Sequence, residues 1–304
     1  MTTSGILNVD KEAGWTSFQV VAMVRKGTGV RKVGHAGTLD PSASGVLVVG
    51  LGQGVRVTEY VMEQPKVYRA RIELGVATDT YDTEGQPVAR GDYAGVTESD
   101  VREALAGFIG SVQQVPPVYS AVKVGGQPAY RLARQGKPVV LKARTARIDR
   151  IELLAFQPPL VALEVECGKG TYLRSLAHDV GQQLGCGAHL AGLVRTRVGP
   201  FTLDTAVSMA ALRQALLDDS WRDLLSPIDY GLVHLPALTL DYEDEKDVRH
   251  GCAVALDPGS PPAGVPQEAG QRCRAYGEDG SLVAVLAYDA KTVMWRPEKV
   301  FAGL

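Results

Sequence analysis

Cysteine is scarce in this chain of 304 residues: there are four, at 167, 186, 252 and 273, and none forms a Cys-x-x-Cys pair. That spacing excludes the common zinc motifs and predicts free thiols in a reducing compartment, hence a cytoplasmic protein. His189 follows Cys186 without a second ligand pair, so no metal is expected. No apolar run approaches the roughly 20 residues of a membrane-spanning helix. The start, "MTTSGILNVDKEAGWTSF", lacks the charged-then-apolar pattern of a signal peptide, so no membrane association is expected. There is no excess of one charge either. Lys and Arg number 32 against 34 Asp and Glu, and the net charge of −2 does not by itself announce a nucleic-acid partner. Two familiar motifs also fail. In Gly50-Leu-Gly-Gln-Gly54 the third glycine comes one residue too early for a dinucleotide fingerprint, and no acid follows at the required distance. The acids of "DTYDTEG" (79–85) do not alternate as a calcium loop requires, and the segment reads as a hairpin turn.

What is present is a core-forming composition, 45% hydrophobic, in a length that predicts one large domain and one small one. "GILNVDK" reads as a strand, and "TSFQVVAMVRKGTG" as a helix with Thr16 or Ser17 as cap and Gly27 or Gly29 as stop. "KVYRARIELG" alternates, with Tyr68, Ala70, Ile72 and Leu74 on one face and Arg69, Arg71 and Glu73 on the other. A helix capped by Thr97, a strand at 160–167, a helix burying Leu173, Leu176, Ala177, Val180 and Leu184, and a short amphipathic helix at 208–217 follow. After Pro227 the composition shifts. Residues 226–240 read as a linker, 257–270 as a flexible loop, and "GCAVAL", "RCRAYG" and "SLVAVLAY" as strands of a small β-rich unit. Without a regular βαβ rhythm, the larger part is α+β.

Charge is unevenly distributed. Between 120 and 150 stand eight basic residues, among them Lys123, Arg131, Arg134 and Lys137, against one acid, Asp149, with Tyr119 and Tyr130 interleaved. Such a run suits a phosphate backbone with bases to stack on, and its Gly and Pro content predicts a projecting arm. The bland alternative is a solvated face.

The glycine-rich stretch "KVGHAGTLDPSASGVLVVGLG" (32–52) leads into an apolar strand and carries Asp40 where a phosphate would be repelled. Asp before Pro is a good helix start, but Ser-Ala-Ser-Gly leaves room for no more than a capped turn. Chemistry and structure both remain open on spacing alone. An aspartate, with an ordinary pKa of about 3.9, needs no activating base at neutral pH to act as a nucleophile.

"GHAGTLDPSASGVL" resembles the catalytic signature of the pseudouridine synthases. Together with "NVDKEAGWTS", "KVYRARIELGVATDTYDTEG", "PPVYSAVKVGGQPAYRLARQGKPV" and "CGKGTYLRSLAHDVGQQLGCGAHLAGLVRTRVGPF", it resembles the bacterial tRNA pseudouridine-55 synthase B (TruB) family over nearly the whole chain. The resemblance implies an α+β fold with a mixed, largely antiparallel sheet, a catalytic domain at 1–233 with an inserted RNA-binding arm, and a PUA-like RNA-binding domain at 234–304. It implies isomerisation of one T-loop uridine of tRNA, without cofactor or metal, by a monomer that needs no protein partner. Asp40 is then the nucleophile, Tyr68 lies against the uracil, and Arg174 pairs with Asp40. His35 holds the place vacated by the flipped base, and Lys11, Tyr172 and Lys123 are supporting substrate contacts. The sequence departs from the family at Val194, where a second arginine is expected.

Two rivals are a non-catalytic tRNA-binding or folding chaperone and an aspartate-nucleophile hydrolase of small substrates. The hydrolase has no use for the basic segment, and the chaperone none for an aspartate in an RNA-facing cleft. Pseudouridine mapping after incubation with unmodified tRNA separates them.

Overall fold

Residues 3–255 and 268–301 are described here, from a computed structural model. The chain opens with β1 (Gly5–Lys11), α1 (Ser17–Thr28), β2 (Val33–His35), β3 (Ser44–Leu51) and α2 (Thr58–Glu63). Next come β4 (Lys66–Leu74), the hairpin β5 (Val76–Thr78) and β6 (Pro87–Arg90), α3 (Glu98–Ala106) and β7 (Gly110–Gln114). A small hairpin, β8 (Lys123–Val124) and β9 (Gln127–Pro128), leads to α4 (Ala129–Arg134). Then follow β10 (Arg144–Gln157), β11 (Leu160–Cys167), α5 (Leu173–Gln183), β12 (Ala188–Val198), β13 (Phe201–Thr202), β14 (Val207–Ser208) and α6 (Met209–Leu217). The last elements are β15 (Ala237–Thr239), α7 (Tyr242–Arg249), β16 (Arg272–Tyr276), β17 (Leu282–Asp289) and β18 (Met294–Val300).

Ten strands make one mixed sheet, ordered β14-β1-β3-β12-β4-β11-β10-β7, with β2 on β3 and β13 on β12. Most pairs are antiparallel; β3–β12 and β1–β14 are parallel. The expected α+β architecture is therefore present. The run at 46–51 is apolar throughout because both its faces are covered. Leu47 and Val49 pack with Val20, Val24 and Leu212 of α1 and α6, while Val46 and Val48 pack with Tyr60 and Val61 of α2. The other half of the sheet is covered on one face only. Tyr68, Ala70, Ile72 and Leu74 of β4 enter a core with α3 and α5. The opposite face carries ion pairs such as Arg150–Glu164 and Arg197–Glu166. Local signals match as well. Thr16 and Thr97 form capping boxes with Gln19 and Asp100, and Gly29 ends α1 in the left-handed region.

Three expectations need correction. Residues 226–240 are not a linker: Ile228 and Leu232 are buried in one cluster with Ile6, Val46, Leu282, Val285 and Phe301, and Ala237–Thr239 is a strand. Apolar residues recurring between prolines read as loop because no period is visible over so short a span. Among the described residues of "GCAVAL" only the bridge Val254–Trp295 forms, and its last residue, 256, and residues 257–267 of the expected loop lie outside the described residues. The basic segment divides in two. Residues 120–143 form the arm, whereas Arg144, Arg147 and Arg150 belong to β10, with Arg147 paired to Asp149 and Arg150 to Glu152 and Glu164.

Gly45 of β3 pairs in register with Arg195 of β12. Its φ is +102°, and a Cβ there would stand 2.3 Å from the carbonyl oxygen of Arg195. Gly29, with φ +68° and open space around it, carries only the backbone penalty, about 1–2 kcal/mol for an L-residue. Gly45→Ala is expected to lower the calorimetric unfolding midpoint clearly more than Gly29→Ala. Equal shifts would mean that the two strands part without cost.

Candidate active site

Strand register brings the site together. Arg195 of β12 stands opposite Gly45 of β3 on one side and Tyr68 of β4 on the other. The loop before β3 carries Asp40, and α5 begins at the end of β11 with Arg174 as its second residue. Asp40, Tyr68, Arg174 and Arg195 therefore line one cleft of about 310 Å³, with Met62 and Leu193 as apolar wall. An outer compartment of about 680 Å³ adjoins it, lined among others by Phe18, His35, Tyr130 and Arg134. Asp40, Ser120 and Arg174 border both.

The Asp40 loop has no regular structure, yet each carbonyl from 37 to 41 has a donor. Arg195 donates from Nη2 to Gly37 and from Nη1 to Thr38, both at 3.2 Å, and from Nε to Val46 at 2.7 Å. Ser17 Oγ donates to the Leu39 carbonyl and accepts from its N–H. Ala43 N–H donates to the Asp40 carbonyl, closing the tight turn. Gly14 N–H and Lys11 Nζ donate to Pro41. Buried peptide groups left unpaired cost about 1–3 kcal/mol each, so this set of donors is what keeps an irregular loop rigid.

Arg174, 7% exposed, joins three segments. Its Nε lies 3.0 Å from Asp40 Oδ2, its Nη1 3.6 Å from Asp82 Oδ2 in the β5–β6 turn, and its Nη2 donates to the Tyr119 carbonyl at the arm's root. Of the two carboxylates it binds, Asp82 has a side chain 9% exposed and Asp40 one 37% exposed. Asp40 is thus the one presented to a ligand.

Tyr68 is buried in the inner compartment, and desolvation raises its pKa, with Arg195 opposing. Tyr172, the residue before α5, lines the same compartment. His35 lies in the outer compartment, where burial and then Arg195 lower its pKa. Arg134 lines that compartment too, its guanidinium 5.9 Å from the Tyr130 ring. Lys123, Arg131 and Lys137 are exposed on the arm and border neither compartment.

Lys11 does not reach the cleft, which corrects its assignment as a substrate contact. It is fully buried, donating to Glu12, Trp15 and Pro41 carbonyls, so it braces the Asp40 turn from behind. Burial pushes its pKa down to about 8, with Asp40 opposing.

Sequence reasoning does not single out Arg195, Asp82 or Lys66. An arginine inside a strand resembles a surface residue; its burial follows only from the register of β12 between two covered neighbours. Val194, the departure from the family, pairs in register with Ser44 and Arg69. Lys66 lines the inner compartment and donates to the Gln64 carbonyl, and burial and then Arg195 lower its pKa to about 8. Among the described residues no cluster of His, Cys, Asp and Glu can hold a metal, and no helix is long and apolar enough to cross a membrane.

Residues 25–173 match the family described as TruB family pseudouridylate synthase (N terminal domain), and 174–233 match the tRNA pseudouridylate synthase B C-terminal domain. The tRNA pseudouridine synthase B of Dehalococcoides mccartyi (strain ATCC BAA-2266 / KCTC 15142 / 195) is 42% identical over 298 residues, 98% of this chain and 96% of that protein. The protein of that name from Geobacter sulfurreducens is 41% identical over 96% of this chain and 95% of its own length. Among solved structures, a chain of a Cbf5-Nop10-Gar1 complex superposes with a TM-score of 0.76 at 29% identity, over 98% of this chain and 85% of that one. A chain of an H/ACA RNP bound to a substrate RNA containing 2′-deoxyuridine gives 0.75 at 27% identity, with the same coverage of each.

The brace formed by Lys11 has a pH signature. Between about pH 8 and 10.5 the unfolded chain holds the Lys11 proton and the folded chain does not, so stability contributed by this residue rises with pH. Relative to Lys11→Met, the unfolding free energy of the native protein is expected to gain up to about 3 kcal/mol from pH 7 to 10.5. Urea unfolding at both pH values checks this; a difference between the two proteins that stays constant with pH contradicts it.

Proposed function

The chain belongs to the TruB family of pseudouridylate synthases, and on that premise we propose that Asp40 is the nucleophile with which it isomerises a uridine of the tRNA T loop to pseudouridine. The carrying observation is the pair of Asp40 and Arg174 at the junction of the two compartments, with Asp40 the exposed carboxylate. The target base turns out of the loop, which costs a few kcal/mol, and enters the inner compartment against Tyr68, Met62 and Leu193. Asp40 attacks, and the bond from the sugar C1′ to the ring N1 breaks. The uracil turns in the pocket and C5 bonds to C1′, the bond that Asp40 had formed breaks and returns the free carboxylate, C5 loses its proton, and N1 ends protonated. Arg174 orients the carboxylate with a planar fork that a lysine does not reproduce. His35, in the outer compartment, occupies the space the base leaves.

The arm supplies affinity. Lys123, Arg131, Arg134, Lys137 and Lys142 stand between 120 and 143 without one acid, and Tyr130 and Arg134 face the outer compartment. We read 1–233 as the catalytic unit and the sheet β15–β18 within 234–304 as a PUA-like RNA-binding unit. The reading extends to a cytoplasmic monomer that acts without a partner protein. The rival chaperone activity needs no nucleophile, so product formation discriminates.

Asp40→Asn is nearly isosteric and not nucleophilic. Pseudouridine formation is expected to vanish while tRNA binding stays within about twofold; turnover near that of the wild type removes Asp40 from the chemistry. Changing Arg131, Arg134 and Lys137 together to Ala is expected to weaken binding and to reduce the log–log salt slope. The reduction is about 0.7–0.9 for each phosphate that the variant no longer neutralises. Single-turnover rates at saturating enzyme should fall less than affinity. An unaltered slope and affinity in a salt series would make the arm an ordinary solvated surface.

A further inference from the structure

Resting on the reading of the cleft as the site of uridine isomerisation, we propose that Ser120 recognises the ribose of the target nucleotide. Its hydroxyl pairs with the 2′-hydroxyl and so sets a preference for RNA over DNA. Ser120 is 6% exposed, and its Oγ, shielded from water, has no partner among the described residues. A buried hydroxyl left unpaired is costly, and such a group in a native site calls for an explanation. The backbone of the residue is fully used: its N–H donates to the Val118 carbonyl at 3.0 Å and its carbonyl accepts from Tyr130 N–H at 3.1 Å. Only the side chain is uncommitted.

Position narrows what that side chain meets. Ser120 borders both compartments, as do Asp40 and Arg174. One guanidinium group separates its neighbour from the nucleophile, since Arg174 holds Asp40 through Nε and the Tyr119 carbonyl through Nη2. With uracil in the inner compartment and C1′ within reach of Asp40, the ribose lies at that junction. The 2′-oxygen sits on the carbon bonded to C1′. A serine hydroxyl donates and accepts, and its hydrogen rotates to suit the partner. A 2′-hydroxyl also donates and accepts, and it is the group that distinguishes RNA from DNA at a given site. The pair therefore satisfies both partners without a charge. The phosphates on either side have other partners, the cations of the arm and Lys169 at the rim of the inner compartment.

The test is a cycle of two proteins and two substrates. Wild type and Ser120→Ala are each assayed, by single-turnover pseudouridine formation at subsaturating enzyme, on T-loop RNAs with ribose or 2′-deoxyribose at the target uridine. Wild type on the ribose substrate is expected to be fastest. Removing either hydroxyl is expected to cost about fivefold, the worth of one hydrogen bond, and removing both to cost no more than removing one. A matching thermal midpoint shows that Ser120→Ala is folded. If Ser120→Ala slows both substrates by the same factor, or behaves as wild type on both, the proposal is overturned. Absence of pseudouridine from the wild-type reaction on ribose would overturn the isomerase reading itself, and this proposal with it.

Discussion

A loop that leaves regular structure and runs inside a protein must find a donor for every carbonyl it buries. Residues 37–41 meet that constraint with the backbone N–H groups of Ala43 and Gly14 and with side chains brought from three distant places: Lys11 at the end of β1, Ser17 at the start of α1 and Arg195 in the middle of β12. Each side chain is buried, and each directs polar atoms to the carbonyls of the loop, Arg195 while also lining the inner compartment. The Asp40 carboxylate is thereby fixed without being covered. Rigid support behind and partial exposure in front is the condition for a preorganised reacting group.

Arg174 adds a second kind of fixation. It ties the Asp40 loop to the β5–β6 turn and to the root of the arm through one planar group. The root of the arm at Tyr119 is therefore one hydrogen bond away from the arginine that holds the Asp40 carboxylate.

Much of this is legible in the sequence where local physics decides. The alternation of "KVYRARIELG" locates Tyr68 and the face it occupies; Thr16 and Thr97 announce their helices; the acid-free run announces an arm. The resemblance supplies the pairing of Asp40 with Arg174, which spacing alone does not contain. What escapes depends on partners far away in sequence. Arg195 is buried because β12 lies between β3 and β4, a neighbourhood set by a parallel pairing across some 150 residues. Lys11 looks like a ligand because lysines rarely sit at zero exposure, and three carbonyls to receive it are visible only in three dimensions. Arg144 to Arg150 share the arm's composition but not its place, because strand or arm is decided by pairing with β7 and β11.

The hydrophobic cluster that joins Ile6 and Val46 to Leu282, Val285 and Phe301 has a consequence for synthesis on the ribosome. One of its first members and its last are separated by nearly the full length of the chain. At about 5–20 residues per second, roughly 15 to 60 s pass between the emergence of Ile6 and that of Phe301. For much of that interval this face of the nascent sheet has helix α2 for cover and lacks the final strands, leaving apolar residues uncovered. This part of the core is thus completed only when the segment from Leu282 to Phe301 has been made, however early Ile6 and Val46 emerge.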